Sequence, residues 1–214
     1  DDDIIDGTQT STITVSIIDG ISDDAFDSVA DQTVSVTTTD DDVAGFTVTE
    51  TEGSTGVSES GSTDLFTIVL NTQPGSDVVL SITSSDTDEA TVDSLIQFTS
   101  ANWDTPQNVT VTGIDDDLID GTISSTITVT VNDGSSDNNF DAVADQTVSV
   151  TTADDDVAGF TIAETGGSTG VDESGNTDIF TVVLNAQPSS NVVLDISSSD
   201  TGEATVTSSL TFTS

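Results

Sequence analysis

The sequence predicts an all-β chain of tandem antiparallel β-sandwich domains, and three observations predict it. The apolar set is mostly Val, Ile, Leu and Phe among abundant Thr and Ser, with none of the Ala/Leu/Glu/Lys richness of helices. Apolar and hydroxyl residues alternate with period two, as where Ile127, Val129 and Val131 interleave with Thr126, Thr128 and Thr130. The third observation is a long internal repeat. A hydrophobic content of 33% suits two small cores better than one large one.

Asp1-Asp2-Asp3-Ile4-Ile5-Asp6-Gly7 recurs as Asp115-Asp116-Asp117-Leu118-Ile119-Asp120-Gly121, and this shift of 114 residues holds without a gap to Ser214. Roughly seven in ten aligned positions are identical, so the repeating unit is a whole domain and not a short solenoid turn. Asp40-Asp41-Asp42-Val43-Ala44-Gly45-Phe46 reappears unchanged as Asp154-Asp155-Asp156-Val157-Ala158-Gly159-Phe160 and marks the seams. Residues 1–42 are then the C-terminal part of one repeat, 43–156 a complete domain, and 157–214 the N-terminal part of the next. The two partial pieces together lack the counterpart of residues 101–114, so the chain reads as an excerpt of a longer array.

Within the complete domain, strands are predicted at 45–49, 65–71, 78–83, 96–99, 108–113, 126–131 and 147–151. Gly, Asn, Asp and Ser fill the connections, as in Asn71-Thr72-Gln73-Pro74-Gly75. About seven short strands with one wet and one buried face predict an immunoglobulin-like sandwich.

Charge excludes many functions. Forty acidic residues stand against no Lys, Arg or His, a formal net charge of −40. Nucleic acid is excluded as a partner because no cationic side chain can replace its counterions. An anionic membrane surface is disfavoured for the same reason, and no apolar run reaches the roughly 20 residues of a spanning helix. With no Cys there are no disulfides, so a secreted domain needs another staple, such as a metal. Without His, Cys, Lys, Arg or Tyr there is no triad base, thiolate, Schiff-base lysine, or nitrogen or sulfur ligand for zinc. The chain is read as a non-enzyme.

The acidic residues gather in loops. Asp115, Asp116, Asp117 and Asp120 follow the strand predicted at 108–113, while Asp154, Asp155 and Asp156 follow the one at 147–151. In an immunoglobulin-like sandwich these loops can share one pole. The other copy repeats them as Asp1, Asp2, Asp3, Asp6, Asp40, Asp41 and Asp42. Adjacent carboxylates repel unless a cation sits among them, and oxygen-only ligands favour Ca²⁺, which takes six to eight oxygens in adaptable geometry. The alternative is a solvated acidic surface from a salt-loving organism.

Gly45-Phe46-Thr47, Phe66-Thr67-Ile68-Val69-Leu70, Asn102-Trp103-Asp104-Thr105-Pro106-Gln107, Val109-Thr110-Val111 leading to Ile114-Asp115-Asp116-Asp117, and the closing Asp triplet together resemble the Calx-beta domain family. That family includes the regulatory calcium-binding domains of sodium-calcium exchangers and domains of long bacterial surface proteins. The resemblance implies an immunoglobulin-like sandwich with calcium at one pole. It adds Glu59, in the loop after the first strand, and its repeat Glu173 to the ligand set, beside Asp115, Asp116, Asp117, Asp120 and Asp154 to Asp156. The sequence departs from the exchangers at Ile123 and Gln9, where a further acidic residue is expected. The family's acidic position in the region 86–89 is left outside the ligand set, because Asp88 becomes Gly202 in the next copy.

The function expected is a calcium-stabilised structural module of a secreted, extracellular or cell-surface bacterial stalk, adhesin or filament. Calcium at the seams rigidifies the array, and neighbouring repeats of the same polypeptide are its partners, with lateral or head-to-tail self-assembly as an extension. Two alternatives stay open: a calcium-sensing regulatory domain, and an acidic fragment of a halophile's secreted enzyme or carbohydrate-binding protein.

Overall fold

A computed structural model describes residues 2–214, and the expected ligand Asp1 lies outside them. Among the described residues, fifteen strands run in chain order: β1 (Gln9–Val15), β2 (Gln32–Thr38), β3 (Phe46–Glu50), β4 (Thr55–Ser58), β5 (Thr63–Leu70), β6 (Val78–Ser84), β7 (Ala90–Val92), β8 (Leu95–Phe98), β9 (Gln107–Gly113), β10 (Ile123–Val131), β11 (Gln146–Ala153), β12 (Phe160–Glu164), β13 (Phe180–Leu184), β14 (Val192–Asp195) and β15 (Ser209–Phe212). Among the described residues, no helix is long and apolar enough to cross a membrane.

Residues 43–156 form an immunoglobulin-like sandwich. One sheet has the order β3-β5-β9-β7 and the other β4-β11-β10-β6-β8. Alternation places Phe66, Ile68, Val109 and Val111 of the first sheet against Leu80, Ile82, Ile127, Val129, Val148 and Val150 of the second, all at most 2% exposed. Phe98 and Phe140 fill the remaining core volume, and Trp103 packs against its edge.

The structure has two more short strands than the sequence predicts. β4 contains a glycine and offers only Val57 to the core, and β7 spans three residues, so neither has a long alternating pattern. A tight turn at Thr51–Gly53 carries the chain from β3 in one sheet to β4 in the other, where β4 pairs parallel to β11. All other strand pairs are antiparallel.

The flanking pieces carry the same local structure at the 114-residue offset. β1 and β2 pair as β10 and β11 do, with register Gln9↔Thr38 against Ile123↔Thr152. β12 with β13 corresponds to β3 with β5, and β14 with β15 to β6 with β8. Ile13 and Val34, counterparts of the core residues Ile127 and Val148, are 54% and 55% exposed because, among the described residues, no strand covers them as the β3-β5-β9-β7 sheet covers Ile127 and Val148.

Candidate metal centre

Four separate segments bring carboxylates to one pole of the complete sandwich. Glu59 follows β4, its N–H donating to the Ala153 carbonyl (3.1 Å) so that the parallel pairing runs one residue further. The turn that follows needs Gly61, whose φ of 80° suits glycine, and its N–H returns to the Ser58 carbonyl (3.1 Å). Gly113 lets this loop approach: its N–H donates to the Ser62 carbonyl (3.0 Å), and a Cβ there would collide with the Ser58 backbone.

Glu89 ends the turn before β7. Its carbonyl accepts from the Ile114 N–H (2.9 Å) and the Thr152 hydroxyl (3.4 Å), fixing it between the ends of β9 and β11. Asp116 and Asp120 lie in the β9–β10 loop. Asp116 Oδ1 accepts from the Leu118 N–H (2.6 Å), which folds the loop back on itself. Asp156 follows β11.

These side chains form two groups that share Glu59. Carboxylate oxygens of Glu59, Glu89 and Asp120 lie within 4.8 Å of one another, and so do those of Glu59, Asp116 and Asp156. Glu59 is 1% and Glu89 7% exposed. Glu59 Oε1, Glu89 Oε2 and Asp156 Oδ2 are buried without a hydrogen-bond partner. Only a 3.3 Å bond from the Asp155 N–H reaches the other oxygen of Glu59.

Such groups resist ionisation. Burial raises the Glu59 pKa, and the charges of Asp154, Asp116 and Asp120 add to this against the Asp155 N–H. Burial likewise raises the Glu89 pKa, and the charges of Asp120, Asp86, Asp116 and Asp88 add to this. Asp156 is raised by burial and then by Asp117, Asp154, Asp155 and Asp115. An unpartnered buried carboxylate is expensive, and this chain has no basic side chain to neutralise one. The donor set, five carboxylates of oxygen alone, fits a hard divalent cation.

Glu59, Asp116, Asp120 and Asp156 among the expected ligands are thus brought together, all from residues 43–156. Asp154 works as a brace: its two oxygens accept from the Gly121 N–H (2.8 Å) and the Asp156 N–H (2.7 Å), tying the β9–β10 loop to the chain after β11. Asp155 contributes its N–H while its side chain is exposed, and Asp115 and Asp117 are exposed beside the cluster.

In the N-terminal copy, Asp40 repeats the brace, accepting from Gly7 (2.6 Å) and Asp42 (2.9 Å), which lowers its pKa. Burial and the charges of Asp40, Asp3, Asp41 and Asp2 raise that of Asp42. Asp2, Asp3, Asp6 and Asp41 are exposed, as is Glu173 in the C-terminal copy; none of them joins a three-carboxylate group among the described residues. The sequence holds no counterpart of Glu59 for these aspartates, and none of Asp116, Asp120 and Asp156 for Glu173. Glu89 is the residue the expected set lacks. Its signal was Thr87-Asp88-Glu89-Ala90-Thr91 against Thr201-Gly202-Glu203-Ala204-Thr205, where the glutamate persists although its neighbour changes.

No family model matches the chain, and no curated protein sequence does. Solved structures similar to it include SSP-19, an MSP-domain-like protein of Caenorhabditis elegans, at 17% identity and a TM-score of 0.31, over 47% of this chain and 92% of that one. Domains 1–6 of the surface layer protein SbsC align at 16% identity and a TM-score of 0.39, over 96% of this chain and 25% of theirs. The E. coli chaperone DraB aligns at 9% identity and 0.38, over 71% of this chain and 90% of its own. At such scores these likenesses carry no functional weight.

Proposed function

We propose that the chain is part of a calcium-stapled array of immunoglobulin-like domains that serves as a structural spacer in an extracellular or cell-surface protein. The observation that carries this reading is the trio of buried, unpartnered carboxylate oxygens on Glu59, Glu89 and Asp156 in a chain without one basic residue. Glu59, Glu89, Asp116, Asp120 and Asp156 would hold the ion. Bound calcium supplies positive charge and nothing else; the chain supplies the fold that gathers these groups from four segments.

Calcium suits the set better than magnesium, which keeps its waters and demands near-octahedral geometry. The resemblance to Calx-beta domains supports the same assignment. Near-identical repetition supports a spacer, since length and stiffness grow with copy number whereas a binding pocket needs a single copy. Because Asp156 is both a ligand and the first residue of the linker, occupancy of the site restrains the chain as it leaves the domain.

Isothermal titration of the chelator-stripped chain with CaCl₂, with MgCl₂ as comparison, tests the reading. Saturable calcium binding, weakened about tenfold in Glu59→Gln, is expected. Heats no larger than those of NaCl at equal ionic strength would remove it.

A further inference from the structure

Consecutive repeats meet at two places in this chain, and both seams are built alike. One place is the covalent linker, Asp42-Val43-Ala44-Gly45 and its copy Asp156-Val157-Ala158-Gly159. Val43 and Val157 are 74% and 72% exposed, so the linker alone leaves its soft backbone dihedrals free to swivel.

The other place is a main-chain bridge. The Gln73 N–H donates to the Asp3 carbonyl (2.7 Å) and Ile4 pairs parallel with Gln73; 114 residues on, the Gln187 N–H donates to the Asp117 carbonyl (2.6 Å) and Leu118 pairs with Gln187. The presenting loop is held by a local turn, Ile4 N–H to Asp2 Oδ1 (3.1 Å) in one copy and Leu118 N–H to Asp116 Oδ1 (2.6 Å) in the other.

The receiving loop is fixed as well. The Asn71 N–H donates to the Gly45 carbonyl and the Asn185 N–H to the Gly159 carbonyl, each at 2.9 Å. A Cβ on either glycine would lie 2.7 Å from the asparagine Nδ2, so glycine permits the linker's close approach. Gln73 Nε2 donates to the Ser100 carbonyl (2.9 Å), and Thr72 and Pro74 are buried. Beside the second bridge, Ile119 lines an apolar hollow with Ala158, Phe160, Leu184, Pro188 and Val192 of the following repeat.

We propose that residues 71–74 of each repeat are a docking surface for the Asp-Ile or Asp-Leu step of the preceding repeat, and that this bridge locks the torsion between neighbours without metal. The recognising group is a main-chain carbonyl, with Ile119 in the apolar hollow beside it at the second bridge, so no carboxylate oxygen crosses the seam. Two points of attachment remove the swivel that one leaves. The same contacts at both seams give the same rotation at each step, so the array winds as a regular superhelix. The inference goes beyond the calcium reading and does not depend on it.

The chain has no cysteine, so spin labels can be placed across the first seam at Thr39→Cys and Leu95→Cys, both exposed, and their separation read by double electron–electron resonance. A narrow distance distribution is expected in calcium and in chelator alike. Gln73→Pro, which removes the N–H, broadens it at least twofold, while Gln73→Ala, which keeps the N–H, leaves it narrow. A broad distribution for the unsubstituted seam in chelator, or a narrow one for Gln73→Pro, overturns the lock and leaves calcium binding by Glu59 untouched. Should Gln73→Pro fail to fold, as read by Trp103 fluorescence, amide exchange of Gln73 in the unsubstituted chain under chelator decides. Protection of tenfold or more upholds the bridge, and exchange at the free-peptide rate overturns it.

Discussion

Replacing Glu59 by glutamine changes the site by one charge and almost no volume, so its effect isolates what that charge does. In chelator, Glu59 is a carboxylate 1% exposed, with one oxygen unpartnered and Asp116, Asp120 and Asp156 close by. A buried charged group left unsatisfied costs about 1–3 kcal/mol or more, and the glutamine amide can donate to a neighbouring carboxylate instead of repelling it. The variant should therefore be about 1–3 kcal/mol more stable than the parent without calcium, or about 4 °C in Tm for each kcal/mol in a domain of this size. In calcium this advantage shrinks by about half or disappears. A ligand bound only to the folded state adds about 2.7 kcal/mol at a hundredfold excess over its Kd, and a tenfold weaker site forfeits about 1.4 of that. Trp103, the sole tryptophan, packs on the core edge of the complete domain, so its fluorescence reports this unit alone. Melting should be followed at pH 8, where the raised Glu59 pKa leaves the least protonated acid. A variant less stable than the parent in chelator, with an equal calcium increment, would refute the reasoning, because Glu59 would then be a satisfied structural group.

The pH dependence of the chelated chain has a defined sign: the folded pKa values of Glu59, Glu89 and Asp156 are raised, so their stability is fullest below the ordinary carboxylate range near about 4 and is lost as pH rises through the raised values. Trp103 melting in chelator should rise as pH falls from 7 to 5, and in calcium it should fall as protons displace the ion; parallel trends would contradict this. Glu52 holds a left-handed backbone (φ 59°) where the next copy has Gly166 (φ 71°). Glu52→Gly should stabilise by about 0.5 kcal/mol, the excess of a left-handed cost of about 1–2 over the roughly 0.5–1 of added chain freedom, measurable by urea unfolding. Gly113→Ala forces a Cβ into the Ser58 backbone and should cost about 2 kcal/mol while weakening calcium binding through the displaced Glu59 loop, read by melting and titration together. A protease of broad specificity added in chelator should cut first at 42–45 and 156–159, and calcium should slow the cut at 156–159, which follows the ligand Asp156.

The long strands were legible because Thr-x-Thr and Val-x-Val alternation writes the sheet face directly, as in β9 and β10. β4 and β7 were not, since three or four residues around a glycine or at a turn carry no period. The aspartate runs announced the β9–β10 loop and the segment after β11, yet not the division of labour within them. Asp154 faces two backbone N–H groups, Asp155 offers only its own N–H, and Asp156 turns an oxygen inward; identical letters cannot show which way each side chain points. Glu89 was hidden for another reason. Its position depends on β7 pairing with β9, a long-range contact, and the change of Asp88 to Gly202 masks the glutamate that persists as Glu203.

The central claim is that a bound divalent cation, and not general screening, neutralises the buried pole. Trp103 melting curves recorded in millimolar CaCl₂, in chelator, and in chelator with NaCl at matched ionic strength separate the two, since monovalent salt screens exposed charge without occupying a site. The account predicts a Tm that climbs steeply with calcium and barely moves with matched NaCl. A NaCl shift as large as the calcium shift would contradict it and leave the carboxylates as a solvated acidic surface.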